Sequence, residues 1–325
     1  MKTLALFAAM MLGSTFAAGA VELKLGHFAA DGHPCDVAAK QFKDNVEKRT
    51  AGAVTIALYG NNALGSPPEV LEQVLLGAVD MSLSGQDQIA KHLPFYDVIS
   101  TPFAFKDYAT ADRVIDGPFR AWADPELAKK NLVHLGDWEW GFRQLTNSKK
   151  PVTTPADMKG MKIRTPPAFA YQAFVEAAGG NAVTIAFAEL VMAMKQGVVD
   201  GQENPVGTIY ALKLYETQKY MTIVNYTYSS MVHLVNKKSW DKLTADQQKI
   251  VTEESFASAK LARKLLRDAE ETQIKDLQAT KGMEVVRPDL RPWKDAMGPA
   301  WDKVKARVGA DNFARFMAMT EVTAK

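Results

Sequence analysis

The chain has 325 residues, and its 39 Lys and Arg against 37 Asp and Glu give a formal net charge of +2. This balance, without any polybasic run, excludes a typical nucleic-acid-binding or anionic-membrane-binding protein. The single cysteine, Cys35, excludes an internal disulfide, so packing must stabilise a chain long enough to form two lobes.

The first 20 residues predict a secretory signal peptide. Lys2 precedes an apolar run from Leu4 to Leu12, and small residues end the segment at Ala18-Gly19-Ala20. The run is about half as long as the roughly 18 apolar residues that a membrane span needs. The mature chain is therefore expected to be exported to the periplasm, with no direct membrane insertion.

Short strands and helices alternate along the first third of the mature chain. Residues 21–28 and 53–60 have strand patterns, with a helix predicted over 37–50 between them. A second helix begins at Pro67 and ends before Gly77, and a strand follows it. This spacing predicts parallel βαβ units and therefore an α/β fold.

The sequence contains an internal similarity. Residues 69–80 and 189–200, at a constant offset of 120, both combine a helix, a terminating glycine, an apolar pair and an aspartate. One explanation of the similarity is that any α/β protein repeats such units. The stronger interpretation is that the chain forms two lobes of the same architecture. Ligands of such sheets bind where the carboxyl ends of the strands meet a crevice.

A long helix is predicted over residues 244–281. Thr244 and Gln247 have the spacing of a capping box, and no proline interrupts the segment. Its apolar stripe is predicted to consist of Ile250, Ala257, Leu261, Leu265, Ile274 and Leu277. A helix of this length can brace both lobes.

No motif of an enzyme is present. The chain lacks the glycine-rich dinucleotide and phosphate loops, the serine nucleophile motif and the zinc-binding helix motif. The closest histidines, His27 and His33, have no third ligand at a suitable spacing. We therefore expect no catalytic residue, no metal site and no cofactor.

Two arginines are candidates for binding an anion. Arg143 and Arg164 each lie near the end of a predicted strand, where a parallel sheet places its crevice. The planar guanidinium can bind a carboxylate through two N–H···O bonds. For each arginine taken alone, a surface salt bridge is the ordinary alternative.

Seven segments in combination resemble the DctP-type solute-binding proteins of TRAP (tripartite ATP-independent periplasmic) transporters. The resemblance extends along the whole mature chain, and it lies in residues 64–65, 77–80, 141–147, 159–167, 179–190, 196–205 and 215–220. It implies a two-lobed periplasmic-binding-protein fold of type II-like architecture. Each lobe would be a mixed or parallel sheet flanked by helices, with the long helix bracing both.

This resemblance also implies how the chain divides. Residues 21–141 and 230–269 are expected to form lobe I, and residues 142–229 and 270–325 are expected to form lobe II. The two lobes would close about a hinge on a ligand held between them.

The ligand-binding residues are expected on two grounds, the resemblance and the chemistry of their side chains. By resemblance, Arg164 pairs with a ligand carboxylate, Asn204 hydrogen-bonds it, Arg143 is a second cation and Phe187 lines the pocket. Three further polar residues suit hydroxyl groups or a second carboxylate: His27, Gln86 and Gln144. Trp138 and Trp140 are expected in the core, with packing on a ligand as the alternative. Tyr226 stands where many relatives have histidine.

The implied function is that of an extracytoplasmic subunit that delivers a small organic acid to TRAP membrane permease subunits. The cargo would be a C4-dicarboxylate or a sugar acid such as a uronate. Three alternatives stay open: the binding subunit of an ATP-driven importer, a ligand-sensing subunit, and an exported enzyme.

Overall fold

The computed structural model of the chain describes residues 20–321, so nearly all of the predicted signal peptide lies outside the described residues. The strands are β1 (Val21–His27), β2 (Val54–Tyr59), β3 (Met81–Gly85), β4 (Leu132–Asn147), β5 (Lys162–Thr165), β6 (Asn181–Thr184), β7 (Gly201–Pro205), β8 (Tyr220–Thr222), β9 (Tyr228–Asn236) and β10 (Glu284–Val286). The helices are α1 (Pro34–Arg49), α2 (Pro67–Leu76), α3 (Gln86–His92), α4 (Tyr108–Val114), α5 (Arg120–Ala128), α6 (Phe169–Ala177), α7 (Leu190–Lys195), α8 (Val206–Ala211), α9 (Lys237–Trp240), α10 (Ala245–Ala279), α11 (Arg291–Asp295), α12 (Gly298–Val308) and α13 (Ala310–Thr320).

Two mixed sheets share the long strand β4. The first sheet has the order β2-β1-β3-β9-β4, and the second has the order β4-β7-β5-β6 with β8 and β10 on the other side of β4. In the first sheet β2, β1 and β3 are parallel, and in the second β6, β5 and β7 are parallel. The predicted α/β fold is therefore confirmed, and both sheets contain three parallel strands in the same arrangement.

The internal similarity has a structural counterpart. Gly77 and Gly197 both adopt a left-handed conformation, with φ of +80° and +68°, and so end α2 and α7. Asp80 Oδ2 accepts a hydrogen bond from the Lys24 backbone N–H at 2.8 Å, and Asp200 Oδ2 accepts one from Lys162 at 2.9 Å. In each sheet the aspartate thus joins the end of the helix–glycine unit to the neighbouring parallel strand.

Helix α10 packs against both sheets. Its capping box between Thr244 and Gln247 is formed as predicted. In the first half of the predicted apolar stripe Ala257 is exposed and Ile250, Leu261 and Leu265 are only half-buried, whereas the buried positions there are Val251, Glu254, Ser255, Ser258, Ala259, Ala262 and Leu266. The Oγ atom of buried Ser255 lies 2.8 Å from His233 Nδ1. Because this buried residue is polar, a search for apolar residues does not find its position. The second half, Ile274 and Leu277, is buried as predicted.

The C-terminal segment does not stay with one sheet. Trp293 is buried beside Phe174 in the core of the second sheet. Phe313 and Phe316 of α13, in contrast, are buried in the cluster that covers the first sheet. The assignment of all of residues 270–325 to lobe II therefore differs from the packing, since the apolar face of α13 is covered by first-sheet helices.

One buried histidine carries a positive charge at neutral pH. His134 in β4 lies 2.7 Å from Asp124 Oδ1 through Nδ1 and 3.0 Å from Asp137 Oδ2 through Nε2. Burial alone would lower the pKa of His134, but the two carboxylates more than offset it and raise the pKa to about 8. The charged imidazole therefore stabilises the fold below the unfolded pKa of 6.5, and this stability is lost as the pH rises through 8.

We expect the free energy of unfolding to fall by about 1 kcal/mol between pH 7 and pH 9 through His134. Denaturant unfolding of the wild type and of His134→Gln at both pH values measures this contribution. The three histidines with lowered pKa values, His27, His33 and His233, affect stability on the acid side of this range. Equal pH slopes for the two proteins would contradict the charged state of His134.

Candidate functional site

A cleft lies where the two sheets meet at β4. Gly141 has a φ of +115°, and the register between β4 and β9 shifts beside it, so β4 changes direction as it leaves the first sheet. The cleft contains about 380 Å³ of space, part of it open to solvent. Side chains from both sheets line it, among them Phe28, Asp87, Gln88, Trp140, Arg143, Arg164, Phe187 and Asn204.

Arg164 is a fully buried cation with open donors. It lies in β5 with none of its surface exposed, and its Nε donates to the Ile185 carbonyl at 2.9 Å. Its Nη1 and Nη2 have no hydrogen-bond partner among residues 20–321. Burial lowers the pKa of Arg164 to about 10, so the group stays protonated at neutral pH. A buried charge of this kind is costly unless an anion pairs with it.

Arg143, in contrast, already has an anionic partner. Its Nε and Nη2 donate to the two carboxylate oxygens of Glu203, and Nη2 also donates to the Glu203 carbonyl at 2.8 Å. Tyr226 donates to the same carboxylate at 2.5 Å. Burial alone would lower the pKa of Arg143, but Glu203 reverses this effect and raises it. Arg143 lines the cleft, yet its charge is compensated within the protein.

Asn204 and Phe187 lie in the cleft where the resemblance placed them. Asn204 Nδ2 donates to Gln202 Oε1 at 2.6 Å, and its Oδ1 accepts from Arg143 at 3.2 Å. The Phe187 ring lies 5.3 Å from the Phe28 ring and 6.2 Å from the Trp140 ring. These aromatic contacts join the two sides of the cleft. Trp138 and Trp140 are both buried in the core beside the first sheet, as expected, and Trp140 also lines the cleft.

Gln86 and Gln144 do not line the cleft, and their amides stabilise the backbone instead. Gln86 donates to Ser100 and to the Tyr228 carbonyl and accepts from the Ser230 N–H at 3.0 Å. Gln144 Oε1 accepts from two consecutive backbone N–H groups, of Val224 and Asn225, both at 3.0 Å. Because these partners occupy both amides, the prediction that they contact a ligand is corrected.

His27 lies beside the cleft in a smaller adjoining cavity, which it lines together with Phe28 and Pro67. Its Nε2 is 3.7 Å from Asp36 Oδ1. Burial lowers the pKa of His27 to about 4, so the imidazole is neutral at physiological pH. A direct role in ligand binding stays a prediction.

The sequence interpretation missed Asp87 and Gln88. Both lie in the first turn of α3, directly after β3, and both line the cleft. The rule that strand ends form the crevice identifies them, because Asp87 stands only two positions after Gly85. Within residues 20–321 no group of three or more His, Cys, Asp or Glu could hold a metal, and no helix has the length and apolarity to cross a membrane.

Comparison with known proteins agrees with this architecture. The profile of DctP, described as bacterial extracellular solute-binding protein family 7, matches residues 25–307. The chain belongs to this family. This DctP-family protein is 31% identical over 298 residues to the 2,3-diketo-L-gulonate-binding periplasmic protein YiaO of Escherichia coli (strain K12), covering 91% of this chain and 90% of the relative.

Two further relatives extend the comparison. The C4-dicarboxylate-binding periplasmic protein DctP of Rhodobacter capsulatus is 30% identical over 307 residues, covering 92% of this chain and 91% of the relative. A crystal structure of a TRAP periplasmic solute binding protein from Polaromonas sp. JS666, bound to D-erythronate, superimposes with a TM-score of 0.88 at 31% identity. That match covers 94% of this chain and 100% of the other. The predicted two-lobed fold and the membership among TRAP solute-binding proteins are confirmed.

Glu203→Gln is expected to lower the free energy of unfolding by about 3 kcal/mol, because it leaves Arg143 buried without a compensating charge. Urea denaturation measures the loss. Glu176→Gln is the matched control, since it breaks an exposed ion pair with Lys303 and should cost less than about 1 kcal/mol. Similar small losses in both variants would show that Glu203 does not compensate Arg143.

Proposed function

We propose that the protein captures a small organic acid between its two lobes and that Arg164 binds the carboxylate. The single observation that carries this proposal is the buried Arg164 guanidinium, which lines the cleft and whose two Nη atoms have no hydrogen-bond partner in the described part of the chain. Its planar fork matches a carboxylate through two parallel hydrogen bonds. Asn204 of the neighbouring strand β7 lines the same cleft, and the second hydrogen of its Nδ2 supports a hydrogen bond to the same carboxylate.

Burial decides how strongly this site holds an anion. In a cleft from which water is largely excluded, a pair of opposite charges attracts more strongly than at a surface. Arg164 is fully enclosed when Phe187 contacts Phe28 across the cleft. An unpaired Arg164 disfavours this closed arrangement, so a carboxylate shifts the population from open to closed. Ligand binding and lobe closure are thereby coupled.

The same proposal covers the transport role of the protein. Residues 1–20 act as a signal peptide, the mature protein works in the periplasm, and the closed form is recognised by TRAP membrane permease subunits. The cargo is a C4-dicarboxylate or a sugar acid, in line with what the relatives bind. The protein acts as a binder and not as an enzyme, since its cleft presents an arginine, amides and aromatic rings as a receptor for an acid.

Arg164→Met is expected to reduce the affinity for the bound acid about 100-fold or more, because the partner of the buried carboxylate is lost. The same change should raise the stability of the ligand-free protein by about 1 kcal/mol, since it removes a buried unpaired charge. Isothermal titration with a panel of aldonates, uronates and C4-dicarboxylates measures affinity, and thermal unfolding measures stability.

The matched control is Arg291→Met, which alters an exposed arginine that pairs only locally with Asp289. Arg291→Met should change neither the affinity for the acid nor the stability of the ligand-free protein. A variant that both unfolds more easily and binds less would indicate damage to the fold, whereas unchanged affinity in Arg164→Met would remove Arg164 from the site.

Uptake into proteoliposomes that contain the permease separates the transport alternatives. We expect the protein to support uptake driven by an ion gradient without ATP. A requirement for ATP would assign the protein to the other class of importer, and conversion of the acid to another compound would indicate an enzyme.

A further inference from the structure

The charges around the cleft are nearly balanced, and their arrangement restricts the ligand. Arg143 and Glu203 compensate each other through their bidentate pair. Of the remaining charged side chains that line the cleft within residues 20–321, Arg164 is positive and Asp87 is negative. Arg164 belongs to β5 of the second sheet, and Asp87 follows β3 of the first sheet. A ligand between the sheets therefore meets a cation on one side and an anion on the other.

The wall beside Asp87 consists of hydrogen-bond acceptors. Gln88 Nε2 donates to Asp87 Oδ2, which fixes the amide, because the reverse orientation would place its oxygen against the carboxylate. Gln88 is only 5% exposed, and its Oε1 is then buried without a hydrogen-bond partner among the described residues. No other residue of the described chain donates to Asp87 Oδ1.

These two acceptor oxygens lie close together at the surface of the cleft. A Cβ atom added to Gly85 would lie 2.6 Å from Asp87 Oδ1 and 2.6 Å from Gln88 Oε1. Gly85 itself lines the cleft, and a side chain at this position would cover both oxygens. Buried acceptors require donors, and in a small organic acid the common donors are hydroxyl groups.

We infer that the cargo carries a single carboxylate and presents hydroxyl groups to Asp87 and Gln88, and that Asp87 rejects a second carboxylate at this position. This inference rests on the proposed binding of the carboxylate by Arg164. It selects hydroxylated monocarboxylic acids, such as aldonates and uronates, over dicarboxylates of the same size. A second carboxylate would face a like charge and two acceptors that it cannot satisfy.

Matched pairs of acids test the inference without any substitution. D-Erythronate and meso-tartrate share a four-carbon skeleton, and D-galactonate and galactarate share a six-carbon one, so each pair differs in one terminal group. Desolvation raises the pKa of Asp87 to about 6, so titration calorimetry at pH 8 measures binding to its ionised form. The wild type should bind the tighter monocarboxylate about tenfold or more better than its matched dicarboxylate.

Asp87→Asn provides the second measurement. It removes the negative charge but keeps the size of the side chain, so it should reduce the preference about tenfold, chiefly by improving the binding of the dicarboxylate. Glu72→Gln, an exposed change on the first lobe, should leave the preference unaltered.

Each outcome separates this inference from the proposed function. A wild type that prefers meso-tartrate or galactarate, or a preference unchanged by Asp87→Asn, overturns the inference while leaving Arg164 as the carboxylate receptor. Binding that survives Arg164→Met unchanged overturns the proposed function, and the inference fails with it.

Discussion

The central constraint of this protein is one internal carboxylate between two buried guanidinium groups. Strand β7 lies between β4, which carries Arg143, and β5, which carries Arg164. Glu203 of β7 accepts from Arg143 through both oxygens, and it is the largest influence that raises the pKa of Arg164 against the effect of burial. Because burying a cation is costly, the second guanidinium favours pairing with an external anion, and the proposed function rests on this preference. The order of the strands thus sets the geometry of the proposed receptor.

The rest of the fold supports this arrangement. Helix α10 is joined to β4 by Arg267, whose guanidinium contacts buried Glu139 at 3.1 Å and Asp112 of α4 at 2.7 Å. Gln144 holds the chain between β8 and β9 by accepting from two consecutive backbone N–H groups. These contacts surround the point where β4 passes from one sheet to the other. The residues that connect the two sides of the cleft therefore also position the groups that line it.

Much of the fold could be predicted from the sequence because its signals are local. The glycine ends of α2 and α7 and the capping box of α10 depend on neighbouring residues, and they were identified correctly. The backbone roles of Gln86 and Gln144 are not visible in the sequence, because the N–H groups from which their amide oxygens accept lie 80 to 144 positions away. The pairing of Arg143 with Glu203, 60 positions apart, was hidden for the same reason. Asp87 could have been found from its place at a strand end.

The shared strand also has a mechanical consequence. The chain passes between the sheets through β4, through the segment that leads from β8 to β9, through α10, and again in the C-terminal segment between β10 and α13. The first two passages are bonded side by side, since the Arg143 N–H donates to the Thr227 carbonyl at 3.0 Å. Connections that run side by side leave the two sheets less free to twist or slide against each other than to bend about a hinge. In the proposed transport role, such bending changes chiefly one angle between the sheets, and that angle is what a membrane partner would read as occupancy of the cleft.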